Sequence, residues 1–186
     1  MKIDIIHKDV GSSTMPEIVE EATKDLKAWK VKVPRGQAPA FLEKTVNAAL
    51  SSGGQVLVMR ADMVFGIDHL RSALFHAKKA IEERRNSSDS LTMESLLYAS
   101  GERQLSSAVR KMSVDMDTEE IVVAKLSEGA LETESSWRAL DDSTNEASVI
   151  RLKSFGITQN ELESVGDGDP MELILEKVAA VDIIKK

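Results

Sequence analysis

Between Asp68 and Arg85 the chain follows one clear period. Leu70, Ala73, Leu74, Ala77 and Ile81 recur at the three- and four-residue spacing of a single helix face. Arg71, Lys78 and Arg85 recur every seven residues, about two helical turns, so they share a different strip that faces solvent. A helix that is apolar on one side and cationic on another must lie on a core rather than inside one. Asp68 stands where its N-cap is expected.

The flanking segments supply what that helix packs against. Gln55–Met59 and Ile121–Ala124 are short, apolar and β-branched, as buried strands are. The alternating start Lys2–His7 before Gly11 is expected to be a strand. Ile18, Ala22, Leu26 and Trp29 recur at helical spacing and predict a helix from about Pro16 that ends before Val33, ahead of the Pro34, Gly36 and Pro39 breakers. A second helix is predicted over Phe41–Leu50, with Leu42, Val46 and Ala49 on one face. Met63–Ile67 is expected to be a short strand or an irregular link. Thr92 is expected to cap a helix over Met93–Ser100 that Gly101 ends, and Leu105, Ala108, Val109 and Met112 mark the next. Val149–Phe155 is predicted as a strand. Thr158 with Glu161 has the capping-box spacing for a short helix, and Asp169-Pro170 opens a last helix to about Ile184. No internal repeat is visible. The length of 186 residues fits a single domain over 1–186, with a strand–helix–helix part over about 1–54 ahead of a core over 55–186.

Charge is unevenly placed. Residues 69–111 hold eight cations (Arg71, Lys78, Lys79, Arg84, Arg85, Arg103, Arg110, Lys111) against five acids, whereas the whole chain has a net charge of −7. The acidic extreme is 115–146, and 127–148 is its polar, featureless part. The split predicts two differently charged faces. A cationic strip on a solvated helix serves phosphates or acidic protein partners equally well.

Several chemistries are excluded or left without support. The absence of cysteine rules out disulfides, Cys-ligated zinc, iron–sulfur clusters and thiol catalysis. His69 and His76 sit seven apart with Glu83 seven beyond, which is no recognised ligand spacing, so no metal is expected. Gly166-Asp167-Gly168-Asp169 lacks the third glycine and the preceding apolar strand of a dinucleotide fold. No cofactor and no catalytic residue are expected. No apolar run approaches the roughly 18–20 residues that cross a bilayer, and the start resembles no signal peptide, so the expected location is the cytoplasm, away from membranes. The last helix is apolar on several sides through Leu173, Leu175, Val181 and Ile184, a pattern of deep burial or of partner docking.

The central block carries a resemblance. It runs Val64-Phe65-Gly66-Ile67-Asp68-His69-Leu70-Arg71-Ser72-Ala73, and then Leu91 through Leu96-Leu97-Tyr98-Ala99-Ser100-Gly101-Glu102-Arg103-Gln104-Leu105-Ser106 and Ala108. Together with Ile121–Ala124 and Leu173–Ala179, it resembles the small kinase-binding, tRNA-binding subunit of the KEOPS (EKC) complex, the TPRKB family. The likeness covers roughly 55–186. Leu105 stands where isoleucine is more usual, and the acidic 127–148 stretch is not part of the family pattern.

What the resemblance implies is a non-catalytic accessory subunit. Its complex installs threonylcarbamoyl on the adenosine next to the tRNA anticodon. The subunit docks on the kinase/ATPase subunit, reaches the transferase subunit only through it, and holds the single-stranded 3′ CCA end of tRNA. The implied fold is α+β, an antiparallel or mixed central sheet with helices packed around it, in agreement with the elements above. Arg71, Lys78, Lys79, Arg84, Arg85, Arg103 and Arg110 would then meet phosphates, with Gln104 at a base edge. Tyr98 is expected in the core rather than as a stacking platform. The alternative is a protein-interaction adaptor that binds no RNA directly.

Overall fold

The computed structural model describes residues 16–141, 148–166 and 168–185. Its elements are α1 (Glu17–Ala22), β1 (Lys27–Lys32), α2 (Ala38–Ser51), β2 (Val56–Arg60), α3 (Ile67–Glu82), α4 (Leu91–Ser100), α5 (Leu105–Met112), β3 (Glu120–Lys125), β4 (Arg138–Ala139), α6 (Val149–Phe155), α7 (Gln159–Val165) and α8 (Met171–Ile184). The four strands form one sheet in the order β2-β3-β1-β4, and every pair is antiparallel. The fold is α+β, and of the two sheet types expected it takes the antiparallel one. The expected strand Lys2–His7 lies outside the described residues.

The sheet separates two apolar layers of unequal size. Ala28, Leu57, Met59, Val122 and Ala124 face the larger one and meet α3, α4, α5, α6 and α8 there. Val31, Val33, Val58, Ile121 and Val123 face the other way, under Phe41, Leu42 and Val46 of α2 and under Leu131 and Trp137 of the connection from β3 to β4. Alternate residues of one strand point to opposite faces, so β1 and β3 feed both layers. Among the described residues no helix is long and apolar enough to cross a membrane.

Two expected elements are corrected. The helix predicted from Pro16 towards Val33 is only α1, because the chain becomes β1 at Lys27. Leu26 and Trp29 have helical spacing, but Trp29, Val31 and Val33 also alternate, and pairing from Lys27↔Lys125 to Lys32↔Glu120 decides the outcome. Val149–Phe155 is a helix rather than a strand. Ser148 accepts from Arg151 N–H at its start, Gly156 closes it at φ 109°, and Leu152 and Phe155 bury one side while Val149 and Ile150 stay exposed. Of the two readings of Met63–Ile67, the irregular link is the one found, running from the 3₁₀ turn Ala61–Met63 to the start of α3 at Ile67.

Two caps move as well. Gly66, at φ 108°, precedes α3, and the Asp68 side chain instead pairs with Arg71. Ser90, not Thr92, accepts the Met93 N–H and starts α4. The capping box of Thr158 and Glu161 and the left-handed Gly101 at the end of α4 are found where they were expected.

Candidate functional site

The cationic residues lie along α3, on the loop after it, on the α4–α5 turn and on α5, and their partners divide them into two groups. Arg71 donates from Nη1 to Asp68 Oδ1 at 2.9 Å, and that carboxylate is buried. Lys78 donates to the Ala22 carbonyl at 2.8 Å and so holds the end of α1 against α3. Arg85 donates from Nε and Nη2 to Glu83 Oε2 at 2.7 and 2.5 Å, and from Nη1 to Asp182 Oδ1 at 3.0 Å. Those two carboxylates push the Arg85 guanidinium further above its ordinary value, Glu83 more than Asp182. All three members of the seven-residue strip are thus engaged within the chain, Arg71 and Arg85 by carboxylates and Lys78 by a carbonyl.

The other cations are freer. Lys79 and Arg84 are exposed, and Arg84 takes a left-handed backbone at φ 57°. Arg103 and Gln104 stand exposed on the turn between α4 and α5. Gln104 occupies the N-cap position of α5 in extended backbone, yet its side chain makes no cap hydrogen bond. Arg110, also exposed, reaches only Ser107 Oγ at 3.3 Å. The turn itself is tightly seated. A Cβ at Gly101, whose φ is 65°, would stand 3.2 Å from the Lys177 Cβ on α8.

Behind that surface lies a polar network that the sequence did not reveal. Asp182 of α8 accepts from Tyr98 Oη at 2.5 Å, from His76 Nδ1 at 2.8 Å and from Arg85. Burial opposes ionisation of this carboxyl, but the hydrogen bonds of Tyr98, Arg85 and His76 outweigh it and hold Asp182 below the ordinary carboxylate value. Burial, then Asp182, pushes the Tyr98 phenol far up, and the His76 ring stacks on it at 5.5 Å between centroids. Tyr98 is therefore a core residue, as expected. Lys185 lies 4.3 Å over the opposite end of the network, on the Tyr98 ring, and pairs with Glu94 Oε1 at 2.5 Å, both side chains being buried. Glu94 Oε2 also accepts the N–H groups of Ser87 and Ser88 at 2.9 Å, which ties the α3–α4 loop to the chain end.

His69 belongs to the core rather than to a site. Its Nδ1 accepts the Phe65 N–H at 3.2 Å, so its Nε2–H donates to the Ala99 carbonyl at 2.8 Å. Complete burial lowers its pKa to about 4 and keeps it neutral. Lys111, close by, donates to the Ser100 carbonyl and to Glu102 and covers the Phe155 ring at 3.9 Å. Burial lowers its pKa. No group of three His, Asp or Glu residues among those described is arranged to hold a metal ion.

The expected docking residues of the last helix also separate. Leu173 and Val181 are buried in the large core, and Leu175 is half-buried. Ile184 is 38% exposed, and Ile183, apolar on the same helix but not among the four expected docking residues, is 81% exposed. A helix apolar on several sides does not show in sequence which side its neighbours cover.

With this geometry described, comparison with known proteins decides the family. The sequence profile of kinase binding protein CGI-121 matches residues 37–173. The chain belongs to the CGI-121 family. That match supports the resemblance to the TPRKB subunit and extends it on the N-terminal side, through α2. It includes all eight cations of the 69–111 window and ends at Leu173, so most of α8 lies beyond it. No curated protein matches the chain. The CGI-121 assignment makes a kinase the partner class of this family.

Proposed function

We propose that this chain is a non-catalytic, cytoplasmic accessory subunit of a KEOPS-type complex, one that docks on the kinase/ATPase subunit and holds the unpaired 3′ CCA end of tRNA. The transferase subunit is reached through the kinase. The observation that carries the RNA part is the α4–α5 turn. There Arg103 and Gln104 are exposed side by side, without side-chain partners among the described residues, and Arg110 lies on the helix that follows. A guanidinium suits a phosphate or a base face, and an amide suits a base edge. The paired residues Arg71, Lys78 and Arg85 play a supporting part in this reading, since a phosphate would have to compete with carboxylates or with the Ala22 carbonyl. For the kinase, Ile183 and Ile184 present the free apolar surface of α8.

That same pairing favours the second reading, an adaptor that binds no RNA. The two separate by binding tRNA and tRNA lacking its CCA end, at two salt concentrations, to the chain alone and to its complex with the kinase. Tail capture predicts affinity that falls on tail removal and a log–log salt slope of about 0.7 per phosphate contact. Absence of binding both alone and in the complex overturns the RNA part and leaves the adaptor.

A further inference from the structure

The outer edge of the sheet is only partly paired. β4 covers β1 at Trp29↔Ala139 and Lys30↔Arg138, and the Leu140 N–H extends this to the Ala28 carbonyl. Successive residues of a strand turn their peptide groups to opposite sides. Ala28 faces β4 and Val33 faces β3 through Glu119, so Lys32 turns its N–H and C=O towards the β4 side. The register places Ser136 opposite Lys32. There, however, the chain leaves the sheet, folding into a turn in which the Trp137 N–H bonds the Glu134 carbonyl. Among the described residues nothing pairs with the Lys32 peptide groups on that side.

Hollows flank this gap on both faces of the sheet. One, of about 310 Å³, is lined by Lys30, Lys32, Arg138, Glu120 and Ser136. The other, of about 440 Å³, has an apolar floor of Val31, Val33, Phe41 and Trp137, with Lys44 and Glu134 at its rim. Lys32 and Ser136 line both hollows, so the two meet at the unpaired register position. Lys30 and Lys32 share the single carboxylate of Glu120, at 2.8 and 3.6 Å. Counting Lys44 and Arg138, four cations face two carboxylates, on a chain whose net charge is −7. Charge complementarity here calls for an anionic occupant.

From this juxtaposition we infer that the β1 edge at Lys32 is a docking groove for a short extended peptide of a partner protein, in which acidic and apolar residues alternate. The peptide pairs its main chain with Lys32. Its apolar side chains enter the Val31, Phe41 and Trp137 hollow, and the carboxylates that alternate with them meet Lys30, Lys32 and Arg138. A strand projects its side chains alternately to two faces, which is the division these two hollows need. Single-stranded RNA fits the same place less well, because the ring faces it would stack on are engaged. Trp137 packs against Trp29 at 6.1 Å and against Phe41 at 5.7 Å. The groove is independent of the surfaces assigned above to tRNA and kinase.

The chain contains two tryptophans, and both lie at this aromatic cluster, so their emission reports its occupation. The test titrates the whole protein with the acetylated, amidated peptide Glu-Val-Glu-Val-Glu-Val. Its comparison ligands are Glu-Glu-Glu-Val-Val-Val, the alternating peptide N-methylated at every residue so that no N–H is left to pair with Lys32, and hexauridylate. The expected result is a saturable emission shift with the alternating peptide alone, weakened about tenfold by Lys32→Glu or Arg138→Glu, together with slowed amide exchange at Lys32. Equal binding of the block or N-methylated peptide would show that neither alternation nor main-chain pairing is used, and would overturn the proposal. So would a shift produced by hexauridylate and not by the peptide, or no shift at all. The N-methylated ligand needs no protein variant, so the main-chain test does not depend on the fold of a mutant.

Discussion

Mild acid should destabilise this protein through His69, and the size of the effect follows from its surroundings. The ring is completely buried, and its pKa falls from 6.5 to about 4 because burial penalises the charged form. The unfolded chain therefore takes up a proton near pH 6.5 that the folded chain refuses until about pH 4. A depressed folded value contributes stability that is complete above pH 6.5 and is lost as the pH falls towards 4. At pH 5 the loss is about 2 kcal/mol, and fully below pH 4 it reaches about 3 kcal/mol. With a urea dependence of about 2 kcal/mol/M, the unfolding midpoint should drop by about 1 M between pH 7 and pH 5. The perturbed carboxyls act at lower pH, since Asp115, Glu120, Glu161 and Asp182 all lie below their ordinary values. His69→Gln is less stable at every pH, because the bonds to Phe65 and Ala99 change, but its midpoint should hardly move between pH 7 and pH 5. A His76→Gln variant run alongside isolates the other ring. If His69→Gln keeps the full acid sensitivity, or if the His69 ring titrates near 6.5 by NMR, the argument from burial fails.

Three further outcomes follow from the same geometry. Asp182→Ala strips the buried Tyr98 hydroxyl of its acceptor and frees His76 and Arg85, a loss of about 2–4 kcal/mol. Tyr98→Phe added to that variant should recover part of it in thermal melts, and a further loss would show that the hydroxyl was not left unpaired. Glu161, held down to about 2 first by Lys177 and then by Thr158, contributes stability that is present above pH 4.5 and disappears as the pH falls towards 2. Glu161→Gln should remove that limb of the acid melt. Arg103→Glu should leave the melting temperature unchanged while weakening tRNA binding and lowering its salt slope by about 0.7, and unchanged RNA affinity would remove Arg103 from the site.

What the sequence disclosed, and what it withheld, divide along one physical line. Local periodicity was enough for α3, β2, β3, α5 and α8, where each residue's role follows from its neighbours within one or two turns. The signals for α6 were local too. Ser148, Leu152, Phe155 and Gly156 have the spacing of a capped helix, but the β-branched Val149 and Ile150 outweighed them as a strand signal, although in the structure they face solvent. β1 was different. Leu26 and Trp29 fit a helix as well as Trp29, Val31 and Val33 fit a strand, and only pairing with β3, about 90 positions away, separates the two. The cationic strip failed in a related way. Its azimuth on α3 was legible, yet its availability was not, because Arg85 is neutralised by Asp182, 97 positions distant, and Lys78 is held by Ala22, 56 positions distant. The same holds for α8, which is apolar on several sides. α3 and α4 cover Leu173 and Val181 and leave Ile183 outside, a choice made by packing rather than by any residue of the helix itself. Charge pattern therefore locates a candidate surface, but long-range partners decide which of its side chains a ligand can use. In this fold that shifts the weight from the regular strip on α3 to Arg103 and Gln104 on the α4–α5 turn, which are exposed and have no side-chain partner among the described residues.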